Sequence, residues 1–425
     1  NVLTEKEPNI ITVFNPHSVP QSEYVTANTN YGKTVNFYAE DIPAGGFKNF
    51  NIDNIHCEEM VETPEARKAE NEYYIITFDE HGIKGIYDKK QKIQLINEYK
   101  GYANELILEH DIGDPWTTRE EDRTRTPMGR MNKLVSVKSN SNITEIIYRG
   151  KFMGNEKLLD DPADYRVLLL EWEQKIVLKK GSCKIDFETD ILWDTFDRRI
   201  RVAFPTYMVE DNGHYAVPYG TVTRPKYDKE ARKGVGVADG EWPAVEWFST
   251  AKKDDANIAL INTGMPSSRI EMGNMMISLL RSPTFPSCLF WPRVYYAPVY
   301  DGMRDRGKHR FKYAFTSYYG DWRDSNIYQQ AQLFNMPLMA FSGRRAVNGN
   351  VVIPNVLSNS TVLTACKKAE SSEDTILRLF EYKGRNDSVE IIVPDTVKEI
   401  KMLEIKNQKV QFEMSGFKIK TILML

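Results

Sequence analysis

Residues 183–193 read CKIDFETDILW, and Asp194 follows. In an extended chain successive side chains point to opposite faces. Ile185, Phe187, Thr189, Ile191 and Trp193 then share one face, and Asp186, Glu188, Asp190 and Asp194 share the other. No helical period sorts these residues so cleanly, so the segment is a strand with one face in a core. Upstream, WEQKIVLKK leads through Lys180-Gly181 into it, which predicts a hairpin. Downstream, RIRVAFP sets Ile200, Val202 and Phe204 opposite Arg199 and Arg201. The same alternation recurs in YYIITFDEHGIKGIYDKK, a hairpin turning at residues 80–82, and in FKIKTILML. In the latter, Phe417, Ile419, Thr421, Leu423 and Leu425 oppose the lysines.

The helical period is carried best by NIYQQAQLFN, with Ile327, Ala331 and Phe334 on one side and Pro337 as a stop. Strand following strand with so little helix between them predicts antiparallel sheets packed face to face, an all-β protein. The polar stretch 58–72 and the lapse of periodicity at 342–350 divide the chain into a small β domain (1–64), a large one (65–345) and a C-terminal β-sandwich (346–425).

The 425 residues carry 56 basic and 59 acidic side chains. That balance gives no electrostatic footing for nucleic acid or an anionic membrane. The four cysteines, Cys57, Cys183, Cys288 and Cys366, form no CxxC pair, and no apolar run has the length of a membrane span. With neither a signal pattern nor a transmembrane segment, the expected location is the cytoplasm. The chain opens at Asn1 without an initiator Met, the expected start of a mature product or of a piece of something longer.

Three stretches could carry chemistry. LEHDIGDPW (108–116) gathers Glu109, His110, Asp111 and Asp114, either a polar loop pinned by Trp116 or part of a metal site completed from elsewhere. DRGKHRFKY (305–313) places Asp305, Gly307, His309, Phe311 and Tyr313 on one strand face. Arg306, Lys308, Arg310 and Lys312 take the other face, most simply the solvent side. SLLRSPTFP (278–286) ends an apolar run in Arg281 ahead of two prolines. A guanidinium there implies a defined acceptor and suits the rim of a site. No GxSxG, HExxH, phosphate loop or zinc-type Cys/His spacing occurs.

In chain order, many of these stretches resemble the C-terminal β region of glycoside hydrolase family 38, the retaining α-mannosidases. They are VFNPHSVPQSEYV (13–25), DIPAGGFKNF (41–50), ENEYYIITFDEHGIKGIYDKK (70–90), ANELILEHDIGDPW (103–116) and KIDFETDILWDTFDRRIRVAFPT (184–206). YGTVTRP (219–225), AVEWFS (244–249), NIALINTG (257–264), SLLRSPTFP, the DxGxHxFxY run, AQLFNMPL (331–338) and TILRLFEYKG (375–384) continue the series.

The resemblance implies a galactose-mutarotase-like supersandwich flanked by smaller β-sandwich domains. It also implies that the nucleophile, the general acid and the zinc ligands lie on an N-terminal barrel and helical bundle, whose HxHxD-like motif is absent here. No catalytic residue, metal ligand or cofactor is therefore expected in this chain, and zinc is expected in the missing catalytic domain. The expected partners are an α-mannoside or mannose-containing glycan, that N-terminal barrel and, as a further option, identical copies of the chain. By motif, Arg281, Asn104, Asp114 and Trp116 become the substrate-pocket rim. The family's second Trp is replaced by the run TTREEDR (117–123), so this loop departs from the pattern. Two other readings stay open: an autonomous carbohydrate-binding protein, and a lyase or mutarotase using His309, Tyr313 and Arg281.

Overall fold

The structure is a computed structural model. It describes residues 3–55, 58–111, 125–158, 161–208, 212–225, 241–265, 267–283, 304–346, 353–393, 400, 405–406 and 408–424. Strands dominate, as the alternation predicts, and the chain is all-β. Among the described residues there is one α-helix, Ile327–Asn335, at the place its period predicts. No described helix is long and apolar enough to cross a membrane. The chain divides into two compact units: Asn1–Glu58, Pro218–Thr221 and Gln332–Leu425 form one, and Glu59–Val217 with Val222–Ala331 form the other.

The larger unit is a supersandwich built on a ten-stranded and a six-stranded sheet, with a four-stranded sheet from residues 68–94 packed into the same core. Lys184–Asp194 lies centrally in the ten-stranded sheet, between Asp161–Lys179 and Gly307–Tyr319. Its predicted inner face is buried: Ile185, Phe187, Ile191 and Trp193 pack in one core with Leu106, Leu108, Ile200, Val202, Phe204 and Ile277 of the six-stranded sheet. Phe187 stacks on Tyr313 at 5.5 Å and meets Phe204 edge-on at 5.3 Å. Burying each such ring is worth about 2–3 kcal/mol. The opposite face of Lys184–Asp194 carries a ladder of cross-strand ion pairs. Asp190 binds Arg310 at 2.6 Å, Glu188 binds Arg310 at 3.3 Å and Asp194 binds Arg306 at 2.9 Å. Arg310 and Arg306 are exposed, so these pairs make the face soluble more than they stabilise it.

The six-stranded sheet runs, edge to edge, Arg125–Pro127, Glu105–His110, Arg198–Pro205, Asn274–Arg281, Ser267–Glu271 and Trp242–Pro243. Both edge strands are two or three residues long and end in proline.

In the smaller unit, Leu3–Phe14 pairs with Phe47–Asn51 on one side and Met339–Ala346 on the other. Met339–Ala346, read from the sequence as the end of the large domain, thus lies in the same unit as the N-terminal strands. Two further three-stranded sheets enclose Val356, Leu377, Leu379, Ile391, Val410, Ile422 and Met424. Here the C-terminal strand turns the face opposite to the expected one inward. Ile422 and Met424 are buried, while Phe417 and Ile419 are 40% and 45% exposed. The register explains it: Ile422 lies opposite Leu377 and Lys420 opposite Leu379, both core leucines. Lys420 shares that face by laying its ammonium 4.1 Å over the Phe412 ring.

Candidate functional site

The six-stranded sheet has two buried faces. Leu106, Leu108, Ile200 and Val202 point into the supersandwich core, while the intervening residues build a lattice of guanidinium and carboxylate groups on the other face. Glu109 and Asp111 come from one strand and its exit, and Arg199 and Arg201 come from its neighbour. The register sets Arg199 opposite Glu109 and Arg201 opposite Ile107. Each arginine reaches diagonally to the next carboxylate along, within the range of long side chains. Arg199 meets Asp111 at 2.9 Å, and Arg201 Nε donates to Glu109 at 2.9 Å. Glu241 joins the lattice from the edge, contacting Arg199 at 3.4 Å and Arg201 closely, and accepting from Ser278 Oγ at 3.3 Å. Arg125 closes the other side, 2.9 Å from Glu109 and 2.8 Å from Glu271.

The electrostatics are mutual. Burial opposes ionisation of Glu109, but Arg201 and Arg125 outweigh it and hold the carboxyl below its usual range. Burial likewise disfavours the Arg201 cation, and Glu241 with Glu109 reverses that into a raised pKa. Arg199 is the strained member, pushed down to about 10 by burial and by the neighbouring Arg201. These charges persist because each has a partner. Removing one leaves an uncompensated ion in a dry sheet.

Arg281 ends its strand beside this lattice. Its Nε and Nη2 donate to the two oxygens of Asp111 at 2.7 and 3.0 Å, a bidentate fork, and its side chain is 24% exposed. The acceptor implied by the sequence is thus Asp111, which also binds the buried Arg199 Nε at 3.1 Å. Asp111 in turn is fixed by its amide, which donates to the Asp197 carbonyl at 2.9 Å.

Other candidates fall elsewhere. Asn104 is not beside Arg281: it precedes Glu105–His110, whereas Asp111 follows that strand, roughly 20 Å away at the usual strand rise. It is buried in the core, its Oδ1 accepting from Tyr313 at 2.6 Å and its carbonyl from Gln174 at 2.8 Å. Its left-handed φ of 63° belongs to the turn into the strand. Asp114 and Trp116 lie outside the described residues. Tyr313 is wholly buried with its hydroxyl on Thr189 and Asn104, so it does not converge with Arg281 as a lyase cluster would require. Among the described residues no three His, Cys, Asp or Glu side chains converge as metal ligands. Of the stretch read as a possible metal site, Asp111 and the neighbouring Glu109 are engaged by guanidinium groups, and Asp114 lies outside the described residues.

Arg199 and Arg201 did not stand out in the sequence, where they simply oppose an apolar face. A usable signal was present: acids at 109 and 111 and arginines at 199 and 201 share the same two-residue spacing. Complementary charges on two strands can pair on one sheet face even when that face is dry.

The chain superposes on an α-mannosidase from Enterococcus faecalis V583 with a TM-score of 0.73 at 15% identity, covering 98% of this chain and 56% of that one. A second Enterococcus faecalis structure, a protein in glycosyl hydrolase family 38, gives 0.67 at 14% identity over 99% of this chain and 53% of that one. The likeness to both is one of fold. Residues 69–288 match the glycosyl hydrolases family 38 C-terminal domain, and residues 360–422 match the family's C-terminal beta sandwich domain. The chain belongs to glycosyl hydrolase family 38. It is 26% identical to alpha-mannosidase 2C1 of Homo sapiens over 221 residues, 50% of this chain and 19% of that protein. It is 20% identical to alpha-mannosidase G of Dictyostelium discoideum over 327 residues, 74% of this chain and 27% of that protein. The chain thus spans about half the length of the solved α-mannosidase it matches, and its matches cover about a quarter or less of these curated relatives.

Proposed function

We propose that residues 1–425 are the C-terminal portion of a retaining α-mannosidase that removes terminal α-mannosyl groups from glycans. This portion shapes and supports the active site and is inactive alone. Family membership supports the substrate class, and the observation that carries the structural role is the Arg281–Asp111 fork. Asp111 fixes two guanidinium nitrogens, so the partly exposed group is held in one orientation at a strand end. A pre-oriented cation of this kind binds sugar hydroxyls without first losing its own rotamer freedom. Zinc does not fit the described side chains, because the carboxylates nearest Arg281 already serve arginines. The ligands for it, and the nucleophile, belong to the N-terminal portion of the same polypeptide, and no step is assigned to the metal here.

The test compares the 425-residue chain with the longer polypeptide on an aryl α-mannoside. The chain alone should give no turnover, and the longer polypeptide should. Arg281→Met in the latter should lower kcat/KM by about 10- to 100-fold, the worth of a charge-assisted hydrogen bond. Turnover by the isolated chain that depends on one of its own residues would overturn the supporting role. Tight mannoside binding by the isolated chain would favour an autonomous carbohydrate-binding protein instead.

A further inference from the structure

The two strand exits that carry the Arg281–Asp111 fork are tied to one residue between them. Asp197 lies in the short connection from Lys184–Asp194 of the ten-stranded sheet to Arg198–Pro205 of the six-stranded sheet. Its carbonyl accepts from the Asp111 amide at 2.9 Å, and its amide donates to the Ser282 carbonyl at 2.7 Å. Asp197 thereby adds one rung beyond the last register pairs, Arg198 opposite His110 and Arg199 opposite Arg281. Ser282, next to Arg281, supplies a second tie. Its amide donates to the Arg198 carbonyl at 2.8 Å, and its Oγ lies 3.0 Å from Thr195 Oγ1. Thr195 is held in turn: its carbonyl accepts from Arg304 Nε at 2.9 Å, and Arg304 also binds Asp194 at 3.1 Å. Thr195, Asp197, Ser282 and Arg304 are all buried, so water does not replace these bonds when one is lost.

Asp197 makes both bonds in a left-handed conformation, φ 47°. Glycine enters that region freely, asparagine and aspartate visit it, and β-branched side chains are excluded from it. The rung therefore depends on which residue stands at 197. It also acts on both partners of the fork at once. Asp111 follows from the Asp197 carbonyl on one side, and Arg281 from the Ser282 carbonyl on the other. Strain placed where it fixes the relative position of two functional side chains points to orientation of the group they hold.

We infer that Asp197 is a positioning residue: its backbone sets the spacing of the Asp111 and Arg281 strand ends, and so the direction in which the Arg281 guanidinium meets the bound α-mannoside. This rests on the α-mannosidase function proposed above. With the rung intact, the guanidinium is oriented before substrate arrives. With the rung broken, the two strand ends shift independently, and each binding event must order Arg281 afresh.

Substitutions in the longer polypeptide, assayed on an aryl α-mannoside, separate positioning from mere structure. Asp197→Val cannot hold the left-handed φ, and Ser282→Ala removes the tie to Thr195. Each should lower kcat/KM by about threefold to tenfold, the cost of ordering one freed side chain on binding. Asp197→Gly adopts the same φ without strain and should stay within about twofold of the parent. In an Arg281→Met background, Asp197→Val and Ser282→Ala should each change kcat/KM by less than about twofold, because no guanidinium remains to be oriented. A turn that is only structural would give the same loss in both backgrounds, or a lower Tm with kcat/KM per folded enzyme intact. Either result overturns the inference, as does full activity of both Asp197→Val and Ser282→Ala. If Arg281→Met alone is still impaired in those cases, the α-mannosidase function and the role of Arg281 stand. Absence of α-mannoside hydrolysis by the parent polypeptide would overturn both. Thermal melting identifies any variant that fails to fold, and Ser282→Ala decides the matter if Asp197→Val is one of them.

Discussion

Asp111→Asn keeps the shape of the side chain and removes one negative charge from the lattice. Arg199 is then left in a dry sheet with Glu241 at 3.4 Å as its remaining carboxylate in place of two, and Arg281 loses its fork. Removing one partner of a buried ion pair costs about 3–5 kcal/mol. Arg199 keeps one acid and Arg281 is partly hydrated, so the lower end applies, about 3 kcal/mol. For a unit of this size each kcal/mol moves Tm by about 2 °C, giving a fall of roughly 6 °C. All seven tryptophans fall between residues 116 and 322, within the larger unit, so intrinsic fluorescence during heating or urea titration reports the right transition. Adding Arg199→Met should recover part of the loss, because the stranded cation is gone. A loss below about 1 kcal/mol for Asp111→Asn would show that Arg199 does not need this carboxylate, and the lattice would no longer explain how Arg281 is held.

Two further outcomes are expected. Tyr313→Phe leaves Asn104 Oδ1 without its donor in the core and should cost about 1–3 kcal/mol in urea denaturation, whereas a neutral result would mean that the hydroxyl does not bridge the sheets. His214 is pushed down to about 4 by burial and then by Arg323, with Asp321 opposing, so it is neutral in the fold and protonates near 6.5 when unfolded. Its contribution is therefore complete above pH 6.5, drains away as pH falls towards 4 and changes no further below that. At about 1.4 kcal/mol per pH unit the span is about 3 kcal/mol, and His214→Leu should flatten that part of the stability–pH curve.

How far the sequence carries this architecture varies with the physics of each element. Lys184–Asp194 is legible to the residue because one face meets a core and the other meets water, so alternation encodes burial directly. Arg198–Pro205 shows the same alternation and a different environment. Arg199 and Arg201 are almost fully buried, since partner carboxylates from another strand replace water, and pairing across 90 residues leaves no local trace. Ile419–Met424 presents comparable apolar residues on both faces, so its inward side is settled by the neighbouring strand's register. That Arg281 needs a defined acceptor could be read from its abrupt place after SLL, but Asp111 as that acceptor could not. Asn104 was drawn to the rim by its motif, although its role is to close a buried hydrogen-bond network.

The two short, proline-ended borders of the six-stranded sheet bear on how this chain behaves when made by itself. A sheet grows by offering unpaired amides along its margin to another chain, and Pro127 and Pro243 each withhold one. Among the described residues, both margins of the sheet thereby offer a templating chain little to pair with. Any self-association of the separated chain through this sheet must then use side-chain surfaces. It should be reversible and sensitive to salt, with none of the fibrillar growth that bare β margins nucleate.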